Sequence, residues 1–256
     1  MPRHDLRRRI LAGERLFGIF LNTGSVMNAE ICARAGFDWV LIDLEHGVAD
    51  ESDVLSHLHA VQSGTAAALV RVEGSNRMRI ARTLDLGAEG IMVPRVASAS
   101  EAQEVVGYLR FPPEGVRGIA LFTRGAELGQ VGHGSVSEIN HSTVGIVQIE
   151  SAPSVEAAGE IAAVDGADVL FVGPTDLSHA LGIPGQLDHP AYEDAVRRVG
   201  QAARDHGKAA GVLLWRSADL DRYVDAGFTF FGMSSDGALL DAAVRSSLSE
   251  LRARSA

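Results

Sequence analysis

The segments Val144-Gly145-Ile146-Val147-Gln148-Ile149-Glu150 and Val169-Leu170-Phe171-Val172-Gly173-Pro174-Thr175-Asp176 decide the fold. Each is an apolar run that closes on a carboxylate. Continuous rather than alternating apolar character marks a parallel strand covered on both faces. The stretch 153–164 between them reads as one helix. Two neighbouring parallel strands joined by a helix present their ends on one rim of a sheet, which brings Glu150 and Asp176 to the same side. A pair of hard oxygen ligands on one rim, with room for water or substrate, suits a divalent cation such as Mg²⁺ or Mn²⁺. The plainer reading has Asp176 capping the following helix and Glu150 solvated in a loop.

Outward from this pair the same alternation continues. Strand-like apolar segments occur at 16–21, 39–44, 67–72, 90–94, 144–149, 168–172, 209–214 and 228–233, with amphipathic stretches between them. Leu240, Val244, Leu248 and Leu251 show the helical spacing, with Asp241, Arg245 and Arg252 on other faces. Gly36, Gly87 and Gly227 stand where a helix ends before the next strand. Eight alternating units in 256 residues predict an α/β fold, a (β/α)8 TIM barrel forming one domain over 1–256. An open doubly wound sheet accommodates only six or seven such strands. No GxGxxG or Walker-type loop follows the first strand, which weakens a nucleotide-binding reading. The connection 111–143 is out of proportion, glycine-rich after Pro112 and Pro113 and carrying Arg117 and Arg124. Loops this long are usually functional or disordered, and this one is expected to border the active site or an oligomer contact.

A net charge of −10 disfavours nucleic acid and anionic membrane as partners. An acidic metabolite remains compatible, provided an arginine or a metal supplies local positive charge. The one cysteine, Cys32, falls in an expected helix over 28–35 and cannot form an internal disulfide; it reads as core. Residues 1–10 are basic without the apolar stretch of a signal peptide, and no apolar run approaches the ~20 residues of a membrane span. The expectation is a soluble, cytoplasmic protein.

On a barrel of this kind the carboxyl ends of the strands carry the chemistry. The second strand closes with Asp43-Leu44-Glu45-His46-Gly47 and the third with Arg71-Val72-Glu73; Glu150 and Asp176 close the fifth and sixth. His46 suits a general base, because its ordinary pKa lies near neutrality and an adjacent carboxylate can orient its ring. Asp43 and Glu45 are both candidate partners, and spacing does not choose between them. Arg71 suits a substrate carboxylate or a developing oxyanion, with a structural salt bridge as the alternative. The Gly173-Pro174-Thr175 turn offers backbone N–H groups to an anion.

The segments Gly36 to Gly47, Tyr108 to Gly118, Gln148-Ile149-Glu150 and Phe171 to Ser178 resemble, in order and spacing, those of the HpcH/HpaI family of class II pyruvate aldolases. The resemblance covers nearly the whole chain. It implies a metal-dependent aldolase on a (β/α)8 barrel, forming a hexamer, a trimer of dimers with an exchanged C-terminal helix. Glu150 and Asp176 are then the metal ligands for Mg²⁺ or Mn²⁺, with Co²⁺ and Zn²⁺ as further candidates. His46 paired with Asp43 is the base on the substrate hydroxyl, and Arg71 stabilises the enolate. Gln148, Gly173, Pro174, Thr175 and Phe20 contact the substrate, the backbone from Gly173 to Asp176 receiving the pyruvate carboxylate. The implied reaction cleaves a 4-hydroxy-2-oxoacid to pyruvate and an aldehyde. The only lysine, Lys208, sits before the seventh strand, at the end opposite the expected site, which argues against a Schiff-base mechanism. Phe20 stands where relatives commonly carry Trp, and 120–127 departs from the family's small-residue pattern; both bear on the aldehyde rather than the enolate chemistry. Two other readings share the barrel: a CoA-thioester lyase of the citrate lyase β-subunit or malyl-CoA type, which lacks an evident basic cluster here, and a non-catalytic metabolite-binding barrel.

Overall fold

The computed structural model describes residues 5–255, so the first four residues of the basic N-terminal run lie outside the described residues. Eight strands form a closed, all-parallel barrel in sequential order: β1 (Leu16–Leu21), β2 (Trp39–Asp43), β3 (Ala67–Arg71), β4 (Gly90–Val93), β5 (Val144–Ile149), β6 (Val169–Val172), β7 (Ala209–Leu214) and β8 (Phe230–Ser235). Helices fill the connections, and β8 pairs with β1 to close the ring. This is the TIM barrel expected from the apolar runs.

Strand periodicity assigns each residue to one of two cores, since neighbours point to opposite faces. Val40, Ile42, Val70, Val147 and Val172 face outward and pack under the helices. Leu16, Trp39, Leu41, Leu69, Ile146, Phe171 and Phe230 face inward and fill the barrel. Large rings fit there because small residues stand opposite. Trp39 stacks on Phe230 with centroids 4.5 Å apart, and a Cβ at Gly18 would overlap the Trp39 indole. Leu6 and Ile10, on the helix Leu6–Leu11, join this inner cluster.

The final helix, Asp236–Ser255, has only Asp236 buried. Asp236 fastens the start of this helix to the loop after β1. Its Oδ1 accepts the Asn22 N–H (2.8 Å) and the Thr23 N–H (3.3 Å), and its Oδ2 accepts the Thr23 hydroxyl and the Asn28 side-chain amide (3.0 Å).

Two expectations need correction. The stretch 153–164 forms two short helices, Ala152–Glu156 and Ala158–Ala162, because Ala157 (φ −84°, ψ 3°) leaves helical geometry between them. The segment 111–143 does not border this chain's own site. It follows a helix and precedes β5, so it lies at the amino ends of the strands. There the Arg117 Nη2 bonds Asp85 (2.6 Å), Arg124 donates to the Leu86 carbonyl (3.3 Å), and Arg7 donates to the His141 carbonyl (3.0 Å).

Cys32 lies in the helix Val26–Arg34, and burial pushes its thiol up to about 11, with the Asp236 charge adding to the effect. Such a thiol is protonated and inert near neutrality. Cys32→Ala is expected to change turnover by less than about twofold, as measured by steady-state kinetics; a larger loss would give the thiol a role in the reaction.

Candidate active site

The inward series of each strand, extended to its carboxyl end, turns from apolar to polar. On β2 it runs Trp39, Leu41, Asp43; on β3, Ala67, Leu69, Arg71; on β5, Val144, Ile146, Gln148 and then Glu150. Asp43, Arg71, Gln148 and Glu150 therefore form one layer above the apolar filling, and all four are buried. They line a cavity of about 320 Å³ together with Phe20, Phe171 and the Gly173 to Asp176 turn.

The four are wired in a row. Arg71 grips Asp43 with two parallel bonds, Nε to Oδ1 (2.9 Å) and Nη2 to Oδ2 (2.7 Å). Its Nη1 reaches the Gln148 Oε1 (3.4 Å) and the Glu45 Oε2 (3.2 Å). Gln148 passes the polarity on, donating from Nε2 to the Glu150 Oε1 (2.7 Å), while the Arg95 N–H donates to the Glu150 Oε2 (3.3 Å). Of the five guanidinium N–H bonds of Arg71, one on Nη2 remains uncommitted among the described residues. Burial works against the Arg71 charge, but Asp43, Glu45 and Glu150 outweigh it and hold its proton more tightly than usual. The Phe20 ring lies under the same guanidinium, 5.2 Å from Cζ to centroid.

Glu150 is perturbed in the opposite sense. Burial, and then the nearby charges of Asp176 and Glu45, push its carboxyl up to about 7. The Arg71 charge and the Arg95 N–H work against this rise without cancelling it, so the buried carboxylate sits where added positive charge would be favourable. Among the described residues no group of three or more His, Cys, Asp or Glu is arranged to hold a metal. Glu150 and Asp176 are a pair of hard oxygen donors that could hold an ion keeping waters and taking substrate oxygens, as Mg²⁺ does. Gly173 is required beside it, because a Cβ there would overlap the Glu150 carboxylate. Asp176 is in the first turn of the helix Pro174–Ala180 rather than at its cap, which is Gly173, so the plain capping reading fails. The backbone N–H groups of Thr175 and Asp176 have no partner among the described residues.

The side-chain pairing expected for His46 is not the one found. Asp43 spends its carboxylate on Arg71 and on the backbone N–H groups of Glu45 (3.1 Å) and His46 (3.3 Å). The carboxylate nearest the imidazole is Glu45, 3.8 Å from Nε2. The ring itself is 63% exposed, at the opening of the cavity. Glu73 turns away to Arg79 (3.2 Å) and takes no part.

Residues passed over in the sequence complete the opening: Asn22 after β1, Trp215 after β7, and Ser234 and Ser235 at the end of β8. The floor thus concentrates fixed charge around an arginine and a carboxylate pair, whereas the opening holds an imidazole and neutral polar groups. Such a site can bind an oxoacid at the floor and move a proton at the opening.

The profile of the HpcH/HpaI aldolase/citrate lyase family matches residues 16–243. A hydroxypyruvate/pyruvate aldolase of Paraburkholderia phytofirmans is 37% identical over 97% of this chain and 98% of its own length. A 5-keto-4-deoxy-D-glucarate aldolase of Klebsiella pneumoniae is 35% identical over 91% of each chain. The crystal structure of an HpcH/HpaI aldolase/citrate lyase family protein from Burkholderia cenocepacia superposes with a TM-score of 0.92 at 36% identity, covering 97% of this chain and 99% of that one.

Proposed function

We propose a reaction for this chain from one premise: it belongs to the HpcH/HpaI aldolase/citrate lyase family and is an aldolase, a carbon–carbon lyase. The reaction is the reversible aldol cleavage of a 4-hydroxy-2-oxoacid to pyruvate, or a close analogue, and an aldehyde. The observation that carries this reading is the row Asp43–Arg71–Gln148–Glu150, which ends in a carboxylate with an abnormally high proton affinity.

The family is one of divalent-metal-dependent aldolases, and Glu150 and Asp176 are the residues that hold the cation, with Mg²⁺ or Mn²⁺ preferred by their hard oxygens. When bound, the cation supplies Lewis-acid stabilisation of the negative charge that develops on the 2-oxo oxygen. The chain's own residues do the rest. The uncommitted Nη2–H of Arg71 meets that same oxygen, and Asp43 and Gln148 fix the guanidinium so that no reorganisation is needed as charge develops. The free N–H groups of Thr175 and Asp176 receive the carboxylate, beside Gly173 and Pro174, with Phe20 as the apolar wall. His46, at the opening, takes the proton of the C4 hydroxyl. The C3–C4 bond then breaks, its electron pair becomes the pyruvate enolate, and the former hydroxyl oxygen becomes the aldehyde carbonyl. Protonation of the enolate at C3 completes pyruvate.

The same reading has the chain acting as a cytoplasmic homo-hexamer with an exchanged final helix. Leu240, Val244, Leu248 and Leu251 of that helix are exposed apolar residues in need of cover, and so are Ile119 and Phe122 (83% exposed) of the 111–143 segment. Among the described residues no helix is long and apolar enough to cross a membrane.

Enolate formation is testable without knowing the aldehyde. In D₂O, protein supplied with Mg²⁺ or Mn²⁺ is expected to exchange the methyl protons of pyruvate, followed by NMR, and chelator-treated protein is expected not to. Absence of exchange under both conditions would remove pyruvate as the bound half of the substrate.

A further inference from the structure

Arg95 follows β4 and has no part in the cleavage just described, yet it touches both halves of the site. Its backbone N–H donates to the Glu150 Oε2 (3.3 Å), and its Nη2 donates to the Glu45 Oε1 (3.1 Å). β4 pairs with β3 and β5, not with β2, so the side chain crosses the end of β3 to meet the carboxylate that follows β2. An ion pair between exposed groups contributes little, and the Arg95 side chain is itself exposed. Glu45 is not exposed, its side chain being only 8% accessible. The Arg95 backbone also lies in the left-handed region (φ 57°), which favours glycine over any side chain. Such strain persists only where the surroundings demand it. Here the N–H has to face Glu150 while the side chain faces Glu45, and glycine would meet the first demand alone.

Glu45 is the point at which the two charged halves meet. Its Oε2 lies 3.2 Å from the Arg71 Nη1 and 3.8 Å from the His46 Nε2. Arg71 does not depend on this contact, because Asp43 holds it through two bonds and Gln148 through a third. The imidazole does depend on it. Among the described residues Glu45 is the only carboxylate within 4 Å of the ring, and the ring nitrogens have no hydrogen bond. A carboxylate bonded through one oxygen alone can swing about that bond. Bonds to Arg95 through Oε1 and to Arg71 through Oε2 fix the plane of Glu45 and leave Oε2 facing His46.

We propose that Arg95 is a positioning residue for proton transfer by His46. By holding the Glu45 Oε1 it keeps Oε2 directed at the imidazole. The charge on that oxygen stabilises the imidazolium formed when the ring takes the proton of the C4 hydroxyl. In the synthetic direction C3 of the pyruvate enolate bonds to the aldehyde carbon, and the imidazolium returns its proton to the aldehyde oxygen. Arg95 acts through Glu45, without contact to the reacting atoms. The inference rests on the aldolase reading above.

The test compares metal-supplied, full-length wild type with Arg95→Gly and Arg95→Lys. The reaction is addition of pyruvate to the better accepted of glycolaldehyde and acetaldehyde. Glycine adopts the left-handed backbone freely and keeps the N–H on Glu150, so Arg95→Gly removes the guanidinium alone. Its kcat is expected to fall about tenfold, the effect of removing one charge-assisted hydrogen bond, with KM for pyruvate within about twofold of the wild type. Melting temperature and calorimetric Mn²⁺ affinity are expected to stay at wild-type level. Arg95→Lys, or millimolar guanidinium added to Arg95→Gly, should restore part of the kcat, because the vacated place is open to solvent. In a Glu45→Gln background Arg95→Gly should cause no further loss, since the carboxylate it acts on is gone. Wild-type kcat in Arg95→Gly, or an equal loss in the Glu45→Gln background, would overturn the role. So would a loss that follows the melting temperature or the Mn²⁺ affinity and is restored by neither lysine nor guanidinium. Pyruvate methyl exchange by the wild type separates the two levels. With exchange present, these outcomes bear on Arg95 alone, and exchange without addition to either aldehyde would remove the proton transfer that Arg95 serves. Absence of exchange defeats the aldolase reading and the role of Arg95 with it.

Discussion

Glu150→Gln is expected to lower kcat/KM by about three orders of magnitude, because the loss of a cation that stabilises developing charge costs several kcal/mol and each 1.36 kcal/mol is tenfold. The substitution keeps the shape and retains an oxygen for the Gln148 amide, so the layer Asp43–Arg71–Gln148 stays in place while the charge that attracts the cation is gone. Calorimetric titration with Mn²⁺ should show the affinity falling together with the activity. Stability should move the other way. The Glu150 carboxyl titrates at about 7 in the folded protein, above its value in the unfolded chain. Its favourable contribution is therefore present at low pH and lost as pH rises through about 7, so that at pH 8 the ionised group opposes folding. Gln removes that opposition, and the metal-free variant should melt above the metal-free wild type at pH 8. Retention of full activity by metal-free Glu150→Gln protein would falsify the ligand assignment.

Arg71→Met should fail in both respects at once. Asp43, only 2% exposed, would lose the guanidinium that neutralises it, whereas Glu45 would keep Arg95. Breaking a buried pair from one side costs about 3–5 kcal/mol. At roughly 2–4 °C per kcal/mol for a chain of this size, the melting temperature should drop by about 6–20 °C. Turnover should fall by a further factor of about 10²–10³ through loss of the donor to the enolate oxygen. The double variant Arg71→Met, Asp43→Asn separates the two effects, because it no longer buries the Asp43 charge alone. It should recover much of the melting temperature and none of the activity. Recovery of both would reduce Arg71 to the structural salt bridge that the sequence left open.

Much of this is legible in the sequence. The runs at 16–21, 144–149 and 209–214 match β1, β5 and β7 residue for residue. The last strand is displaced, expected at 228–233 and found at Phe230–Ser235, because apolar character is the signal and Ser234 and Ser235 do not carry it. That slip concealed part of the site. The strands β2, β3, β5 and β6 close on charged residues that signal chemistry in the sequence, while Asn22, Trp215 and Ser234 are neutral and do not. Period-two counting from the inward residues of β1, β7 and β8 would have found all three. The partner of Asp43 was not available from spacing, since Arg71 is brought to it by the pairing of β2 with β3, in which the two residues are direct neighbours. The position of 111–143 was available in principle: a segment between a helix and the next strand returns to the amino ends, however rich in glycine it is.

The anchoring of Asp236 to the loop after β1 also has a meaning for synthesis on the ribosome. Its hydrogen bonds to Asn22, Thr23 and Asn28 span 208 to 214 positions, and β8 is the strand that seals β7 to β1. Until the nascent chain has released β8, β1 and β7 present open edges of the kind that invite pairing between chains. The opening of the cavity, which includes Asn22 and Ser234 on either side of that seam, comes into existence only at the same moment. The pairing that removes these open edges is thus the same one that completes the cavity.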